Sequence, residues 1–527
     1  MRRIWGGLPL LAVVLGGLQA IPQPAYPQTV SVQASDNVPG SGGSAAAAAE
    51  SAKESALQHK KRGDEFRLRD DIGHAGEEYG KALSLYRGFS TEDRFMMARY
   101  LSWSGRFDEA IRELNTILSE DPGNADARIH LARCLAWKGD FRGSLDESSK
   151  VLAASPGNKD ALLVRANALK WSGNPNAGMS IYKTILERGE DFDTRLALSQ
   201  TFLSTGYIRG ARDGAKRLTT KYPYQEKELK SLNSEIDKAT RPVFGAGYGY
   251  YHDSDENRLD RYTLSTGFWT GAWRWGIGYL YTDARDPSRH ASDQELSLSA
   301  ESRLTEWFGV GGTAGVDWTA NDNSGSFFVG SVRADAKVLD GRIGASVARN
   351  AFAETAQLIE NRIRFTEISS YLEYPLPYRF TVRASYAARD YSDDNRSDDW
   401  QGSIRHVFGL KNPLLGAGYR IRYLDFRRET GSGYFDPSDY LSNRVELSVD
   451  YEKGRGYVHV APFFGYQSYR RRGAATEGFF GGGEGVLGAR VTDSVALELY
   501  GEGSDEAGRS ASGFSYYQGG VRVKGRF

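Results

Sequence analysis

Trp273-Arg274-Trp275-Gly276-Ile277-Gly278-Tyr279-Leu280-Tyr281 places an apolar side chain at every odd position, with arginine or glycine at most of the even ones. Successive side chains of a strand point to opposite faces, so a period of 2 predicts a strand with one apolar face. The alternation recurs at Phe308, Val310, Ala314, Val316 and Trp318, at Phe380, Val382, Ala384 and Tyr386, and at Ala417, Tyr419, Ile421 and Tyr423. Of the 24 Phe, 30 Tyr and 10 Trp, more than two-thirds lie beyond residue 242.

A soluble sandwich would also alternate, so the connections must decide. Short turns are expected near Gly271, Thr305, Leu339-Asp340-Gly341, 375–377, Asn412-Pro413, Lys453-Gly454 and Asp493. Between them run longer polar stretches at 253–260, 285–292, 322–326, 354–360, 393–399, 430–439, 473–478 and 504–512. Short turns at one end and long loops at the other are the pattern of outer-membrane barrels. Counting between connections predicts an antiparallel transmembrane β-barrel over 241–527 with about 16 strands, an even number that leaves both termini on the periplasmic side. Trp269, Trp273, Trp307, Trp318, Tyr378 and Trp400 near strand ends fit interfacial girdles.

The face opposite the apolar one would line the lumen. It carries Arg274, Arg383, Arg389, Arg420, Arg422, Arg522 and Lys524, with Asp317, Glu446, Asp450 and Glu498 as acids. Arg333, Lys337, Arg444 and Arg526, with Glu295, Glu301, Asp335 and Glu502, share that register. Arg383, Arg389, Arg420 and Arg422 come from two strands separated by one other. This cluster suggests a mild anion preference; the competing reading is a mutually neutralised, water-filled interior. Trp269 and Phe463 fall on the same register and would offer rings on which a sugar could slide, unless a bulge shifts them.

The first half has another period. Gly105, Gly139, Gly173 and Gly206 recur at 34, 34 and 33 residues, and Trp103, Trp137 and Trp171 keep the step. This is the tetratricopeptide period, each repeat a helical pair. Ala98, Ala132 and Ala166 supply small residues where helices approach, with Ala110 and Ala211 on second helices and Pro122, Pro156 and Pro223 closing repeats. Ser144 and Gly178 depart from the usual alanine. A degenerate pair over 56–86 and a polar cap over 225–238 complete about four repeats in an α-solenoid spanning 57–240. Such a solenoid binds a partner in its concave groove and carries no chemistry itself.

Met1-Arg2-Arg3, an apolar run from Leu8 to Leu18 and Leu18-Gln19-Ala20 predict a signal peptide over 1–20. The Pro-, Ser-, Gly- and Ala-rich stretch 21–56 reads as a flexible leader. Lys plus Arg equal Asp plus Glu, 67 each, which excludes an overall electrostatic nucleic-acid binder. One cysteine, Cys134, leaves no disulfide framework or multi-cysteine metal site. The mean hydropathy of −0.51 looks soluble, yet barrel strands carry only one apolar face.

The last strand, alternating through Tyr517, Gly519, Val521, Val523 and Gly525 to a terminal Phe527, resembles the signal read by the outer-membrane barrel-assembly machinery. Signal peptide, repeats and barrel together resemble outer-membrane exopolysaccharide exporters of the cellulose and poly-N-acetylglucosamine kind. Leu101-Ser102-Trp103-Ser104-Gly105-Arg106-Phe107 and Leu135-Ala136-Trp137-Lys138-Gly139-Asp140-Phe141 are similar to the repeats preceding YaiO-type barrels. About four repeats are fewer than the large exporters carry. The resemblance implies a Gram-negative outer-membrane location, a polysaccharide-exporting pore amid outer-membrane lipid, and repeats that dock glycan or a periplasmic protein. A general or nutrient porin and a lipid-modifying barrel enzyme are the alternatives.

Enzyme chemistry finds little support, and no cofactor is expected. Gly483-Glu484-Gly485-Val486-Leu487-Gly488 matches a dinucleotide fingerprint as a string but lies in a strand pattern with no helix after it. The seven histidines show no metal-ligand spacing. Ser403 and His406 are the weak candidates for a hydrolase pair at the membrane rim.

Overall fold

The computed structural model describes residues 42–319, 325–376, 379–408, 412–509, 511, 513 and 515–527. The signal peptide and most of the leader lie outside them. The described chain forms two compact units, one ending at Ala197 and one beginning at Leu198.

The first unit is a stack of antiparallel helices: α1 (Gly42–Leu68), α2 (Ile72–Leu85), α3 (Thr91–Trp103), α4 (Phe107–Glu120), α5 (Ala125–Lys138), α6 (Phe141–Ala154), α7 (Lys159–Trp171) and α8 (Pro175–Glu187). α1 begins inside the segment expected as a flexible leader. Side-chain caps start the repeats: Ser90, Asn124 and Asn158 accept from the backbone N–H three residues on, at 3.1, 3.0 and 3.0 Å. The periodic glycines turn the chain between paired helices at φ of 83, 92, 98 and 78°, where a Cβ would be strained. Ala98, Ala132 and Ala166 are wholly buried. Gly178 has its own reason for departing from alanine: a Cβ there would lie 2.8 Å from the Ala166 carbonyl oxygen.

α9 (Phe192–Ser204) contains the boundary between the units, and α10 (Ile208–Lys216) and the capping helix α11 (Pro223–Thr240) belong to the second. Arg212 of α10 donates to the carbonyl of Gly271 at 3.0 Å, on the second hairpin turn of the barrel.

Sixteen antiparallel strands follow and close on themselves. They are β1 (Val243–Asp253), β2 (Arg258–Thr270), β3 (Trp273–Arg285), β4 (His290–Arg303), β5 (Phe308–Thr319), β6 (Ser326–Val338), β7 (Gly341–Ala351) and β8 (Arg364–Leu376), then β9 (Phe380–Tyr391), β10 (Arg396–Val407), β11 (Leu414–Phe426), β12 (Ser438–Lys453), β13 (Gly456–Arg471), β14 (Ala474–Arg490), β15 (Val495–Ser504) and β16 (Tyr516–Arg526). β1 pairs with β16 from Val243↔Arg526 to Asp253↔Tyr516, so no edge remains. Cross-strand partners share a face, and the outward set is apolar and exposed: Val332, Phe328, Ile368, Phe464, Leu487 and Val347 among them. It is a transmembrane barrel by this face. No described helix is long and apolar enough to cross a membrane.

Two expectations about loops need correction. Residues 473–478 are not a loop: β13 and β14 run 16 and 17 residues and meet at a tight turn at Arg472-Gly473, because Thr476, Gly478 and Phe480 continue the ladder. The 354–360 stretch is not a solvated loop either. It holds a short helix, α12 (Ala356–Glu360), whose Ala356 and Leu358 are wholly buried.

The His130 side chain on α5 is buried at 2% exposure and its ring nitrogen lies 2.9 Å from the Ser102 hydroxyl. Burial, with Arg133 and Arg99 nearby, holds its pKa down to about 3. The unfolded chain binds this proton near pH 6.5 and the folded chain does not, so stability present above 6.5 is lost as pH falls below it, by up to about 1.4 kcal/mol per pH unit. The expected outcome is a helical melting temperature that drops between pH 7 and pH 5 by circular dichroism. His130→Gln should flatten that slope; an equal slope in both proteins would contradict the assignment.

Candidate functional site: the barrel lumen

The lumen is polar along its wall, and apolar packing with infolded connections gathers at its outer end. The inner end is where β1 begins and β16 ends; the outer end is opposite. Among the described residues, three outer stretches fold inward: 352–363 with α12, 427–437, and 505–509, which contains a 3₁₀ turn at Ala507–Arg509. Ala353, Ala356 and Ile359 pack on Tyr251, Leu259, Ala284 and Ala291 of β1–β4. Leu358 and Ile363 join Tyr391, Leu424, Phe426, Tyr434 and Tyr440 on the far side. The 352–363 segment therefore takes part in apolar packing on β1–β4 and, with Tyr434 of the 427–437 connection, on β9–β12. Burying Leu358 and Ile359 contributes roughly 1.5–3 kcal/mol each.

Polar groups fasten this lid. Arg261 of β2 holds Glu354 at 2.7 Å, and Gln357 donates to the Gly431 carbonyl at 2.9 Å. Residues 505–509 are held by Arg444 to Glu506 at 2.6 Å, by the Ser442 hydroxyl to Glu506 at 2.9 Å, and by the Ala507 N–H to Gln467 at 2.9 Å. Arg422 donates to the Gly508 carbonyl at 2.7 Å while its other nitrogens reach Asp399 at 3.0 and 3.2 Å. Asp399, Arg389 and Arg422 are all nearly fully buried. Arg389 completes the set with Glu367 at 2.7 Å and Asp399 at 3.3 Å.

The cluster of four arginines expected to favour anions is thus neutralised, most of all in its upper half. Asp399, on the intervening strand β10, sits between Arg389 and Arg422; Arg420 faces Glu446 at 3.4 Å and Arg383 is 3.9 Å from Glu373. Placement of the other expected wall residues follows the register. Arg274 bonds Glu301 at 3.1 Å, and Asp317 is buried on β5 beside Glu295. Asp450 lies 2.7 Å from His459. Glu498 accepts from Lys524 at 2.8 Å and from Tyr457 at 2.6 Å, and also pairs with Arg522. Trp269 keeps the inward register opposite Arg274, so it is not a girdle residue. Phe463 is inward too, but its faces are taken by guanidiniums of Arg444 at 4.6 Å and Arg509 at 4.7 Å.

Sequence reading missed Asp399, Glu367 and Glu506. Asp399 stood in a run of acids taken for a loop, although its alternation with Ser397 and Gln401 was the available signal. Glu506 has no periodic signal, because only the infolding of its loop brings it to Arg444. Ser403 and His406 fall on opposite faces of β10, with the imidazole stacked 4.3 Å from the Phe380 ring. They form no catalytic pair. Among the described residues no cluster of His, Cys, Asp and Glu could hold a metal ion.

Comparison with known proteins finds the tetratricopeptide repeat model at residues 104–147. No curated protein sequence matches the chain. Among solved structures, a thermophilic tetratricopeptide-repeat protein of Thermus thermophilus is 16% identical over 34% of this chain and 98% of its own, with a TM-score of 0.30. A tetratricopeptide repeat protein of Parabacteroides merdae is 15% identical over 35% of this chain and 73% of its own, at 0.27. CdiB of Acinetobacter baumannii is 8% identical over 54% of this chain and 60% of its own, at 0.36. The repeat assignment rests on the period and the matched model, and the barrel on its closed register.

Asp399→Ala should leave two buried guanidiniums short of a counter-charge and cost about 3–5 kcal/mol. Thermal unfolding of the purified barrel in detergent is expected to shift well below the wild type, with an unchanged midpoint counting against the network.

Proposed function

We propose that the chain is an outer-membrane porin that exports an exopolysaccharide from the periplasm, with the repeats docking glycan or a periplasmic partner and the outer lid closed at rest. The observation that carries this reading is a repeat solenoid joined to a polar-walled barrel whose outer mouth is covered by its own folded loops. A solenoid suits an extended partner. A lid that rests on an apolar helix suits a conduit that opens for cargo, and speaks against a general diffusion porin, which needs a standing aqueous path.

The outer membrane is the setting that fits the barrel, with lipid against its apolar face and the assembly machinery reading the terminal Phe527. No enzymatic role is proposed; the split of Ser403 and His406 supports that choice over a lipid-modifying enzyme.

Two experiments test the reading. Replacing residues 353–362 with a short glycine-serine linker should raise single-channel conductance in planar bilayers severalfold over the near-closed wild type, and polymer added at the inner side should then block the current. Unblocked current in the open variant would favour the nutrient porin. Deleting residues 57–197 should abolish polymer secretion while the barrel stays heat-modifiable on gels; undiminished secretion would remove the docking role.

A further inference from the structure

One stretch of lumen wall is not neutralised. At the inner end, β4 to β7 bring together Arg303, Lys337 and Arg342. The register sets Arg303 and Asp335 on either side of Gly309, and Lys337 directly opposite Arg342. Gly309 leaves the space they use, since a Cβ there would lie 2.9 Å from Asp335 Oδ1. Arg303 Nη2 donates to Asp335 at 2.9 Å, and Arg342 Nε is 3.7 Å from the same carboxylate. A single carboxylate therefore serves both guanidiniums.

Two cationic atoms are left over. Arg303 Nη1 and Lys337 Nζ are both shielded from solvent and have no hydrogen-bond acceptor among the described residues. The charged groups that face Lys337 are Arg303, Arg342, Glu306 and Asp335, and neither acid forms an ion pair with its ammonium. The turn at Gly206 of the last repeat approaches the Arg303 side chain and helps to cover it. Other lumen cations have carboxylates at hand: Arg389 and Arg422 with Glu367 and Asp399, Arg444 with Glu446 and Glu506, Lys524 with Glu498. A buried cation without acceptors is costly, and an ammonium has three donors to place. An anionic oxygen group bound at this point would satisfy both atoms with charge-assisted bonds.

We propose that Arg303, Lys337 and Arg342 form an oxyanion-binding site at the inner end of the lumen, and that its ligand is a carboxylate borne by a sugar polymer. The inference deepens the export reading and rests on it for the polymer: it names an acidic glycan, such as a uronic-acid chain, as the cargo class. Asp335 orients the two guanidiniums, and Arg303 Nη1 and Lys337 Nζ take the ligand oxygens. Spaced carboxylates along a chain would leave and rebind as it advances.

The test is titration calorimetry of the full-length protein in detergent with trigalacturonate, inorganic phosphate and neutral maltotriose. Trigalacturonate should bind and weaken as salt rises, and maltotriose should not bind. Lys337→Gln and Arg303→Gln should each weaken binding about tenfold or more, while Lys138→Gln, on the repeat surface, leaves it unchanged. Competition between phosphate and trigalacturonate in the wild type tests the shared site without any variant. Phosphate binding without trigalacturonate binding keeps the oxyanion site and assigns it to a free anion, which removes the acidic-polymer cargo. Binding of neither anion, or binding insensitive to both substitutions, overturns the proposal. Calorimetry reads anion binding alone, so its failure leaves the secretion and conductance experiments to judge export separately.

Discussion

Pairing of β1 with β16 is the constraint on which the rest of the barrel depends. Eleven residue pairs join the first strand to the last, and Phe527 donates its backbone N–H to Pro242 at 3.0 Å. In hydrocarbon an unpaired strand edge would leave a row of unsatisfied N–H and C=O groups, each costing several kcal/mol, so closure is required rather than convenient. Closure also divides every strand into a lipid face and a lumen face. Every arginine on an inward position must then find its counter-charge across the wall or from a loop.

The outer end shows how that demand is met. Arg389 and Arg422 converge on Asp399 from the two flanking strands, and Arg422 and Arg444 reach past the wall to fasten residues 505–509 through Gly508 and Glu506. The buried charges and the lid are one structure: the wall's counter-ions are partly supplied by the loop that closes the mouth. Opening the lid therefore means parting Arg444 from Glu506 and moving Leu358 and Ile359 out of apolar packing, a cooperative change suited to a closed resting state. The inner end differs, because Asp335 is shared and the Lys337 ammonium has no acceptor among the described residues. Infolded connections at the outer end and a shared carboxylate at the inner end make the two ends of the lumen unlike.

Much of this was legible before any coordinates. The 34-residue step of Gly105, Gly139 and Gly173 marks turns that need left-handed backbone, a local requirement written at each position. The alternation in 273–281 marks one apolar face and needs nothing beyond the strand itself. The inward register of Arg389, Arg422, Glu498 and Lys524 followed from the same parity. What parity could not supply was partnership. Arg389 and Arg422 looked like a basic patch because Asp399 was hidden in a polar run, and residues 354–360 looked like a solvated loop because Ala356, Leu358 and Ile359 are too few to show a helical period.

By itself, then, the sequence determined the two architectures, their boundary near residue 242 and the face on which each strand residue lies, because helical period, strand period and left-handed turns are properties of neighbouring residues. Tertiary structure alone decided which charges cancel and whether the lumen is open. Those depend on contacts such as Arg261 with Glu354, Arg444 with Glu506 and Arg422 with Gly508, between residues 93, 62 and 86 positions apart. No local pattern encodes such pairs; they exist only once the sheet has closed and the loops have folded into it.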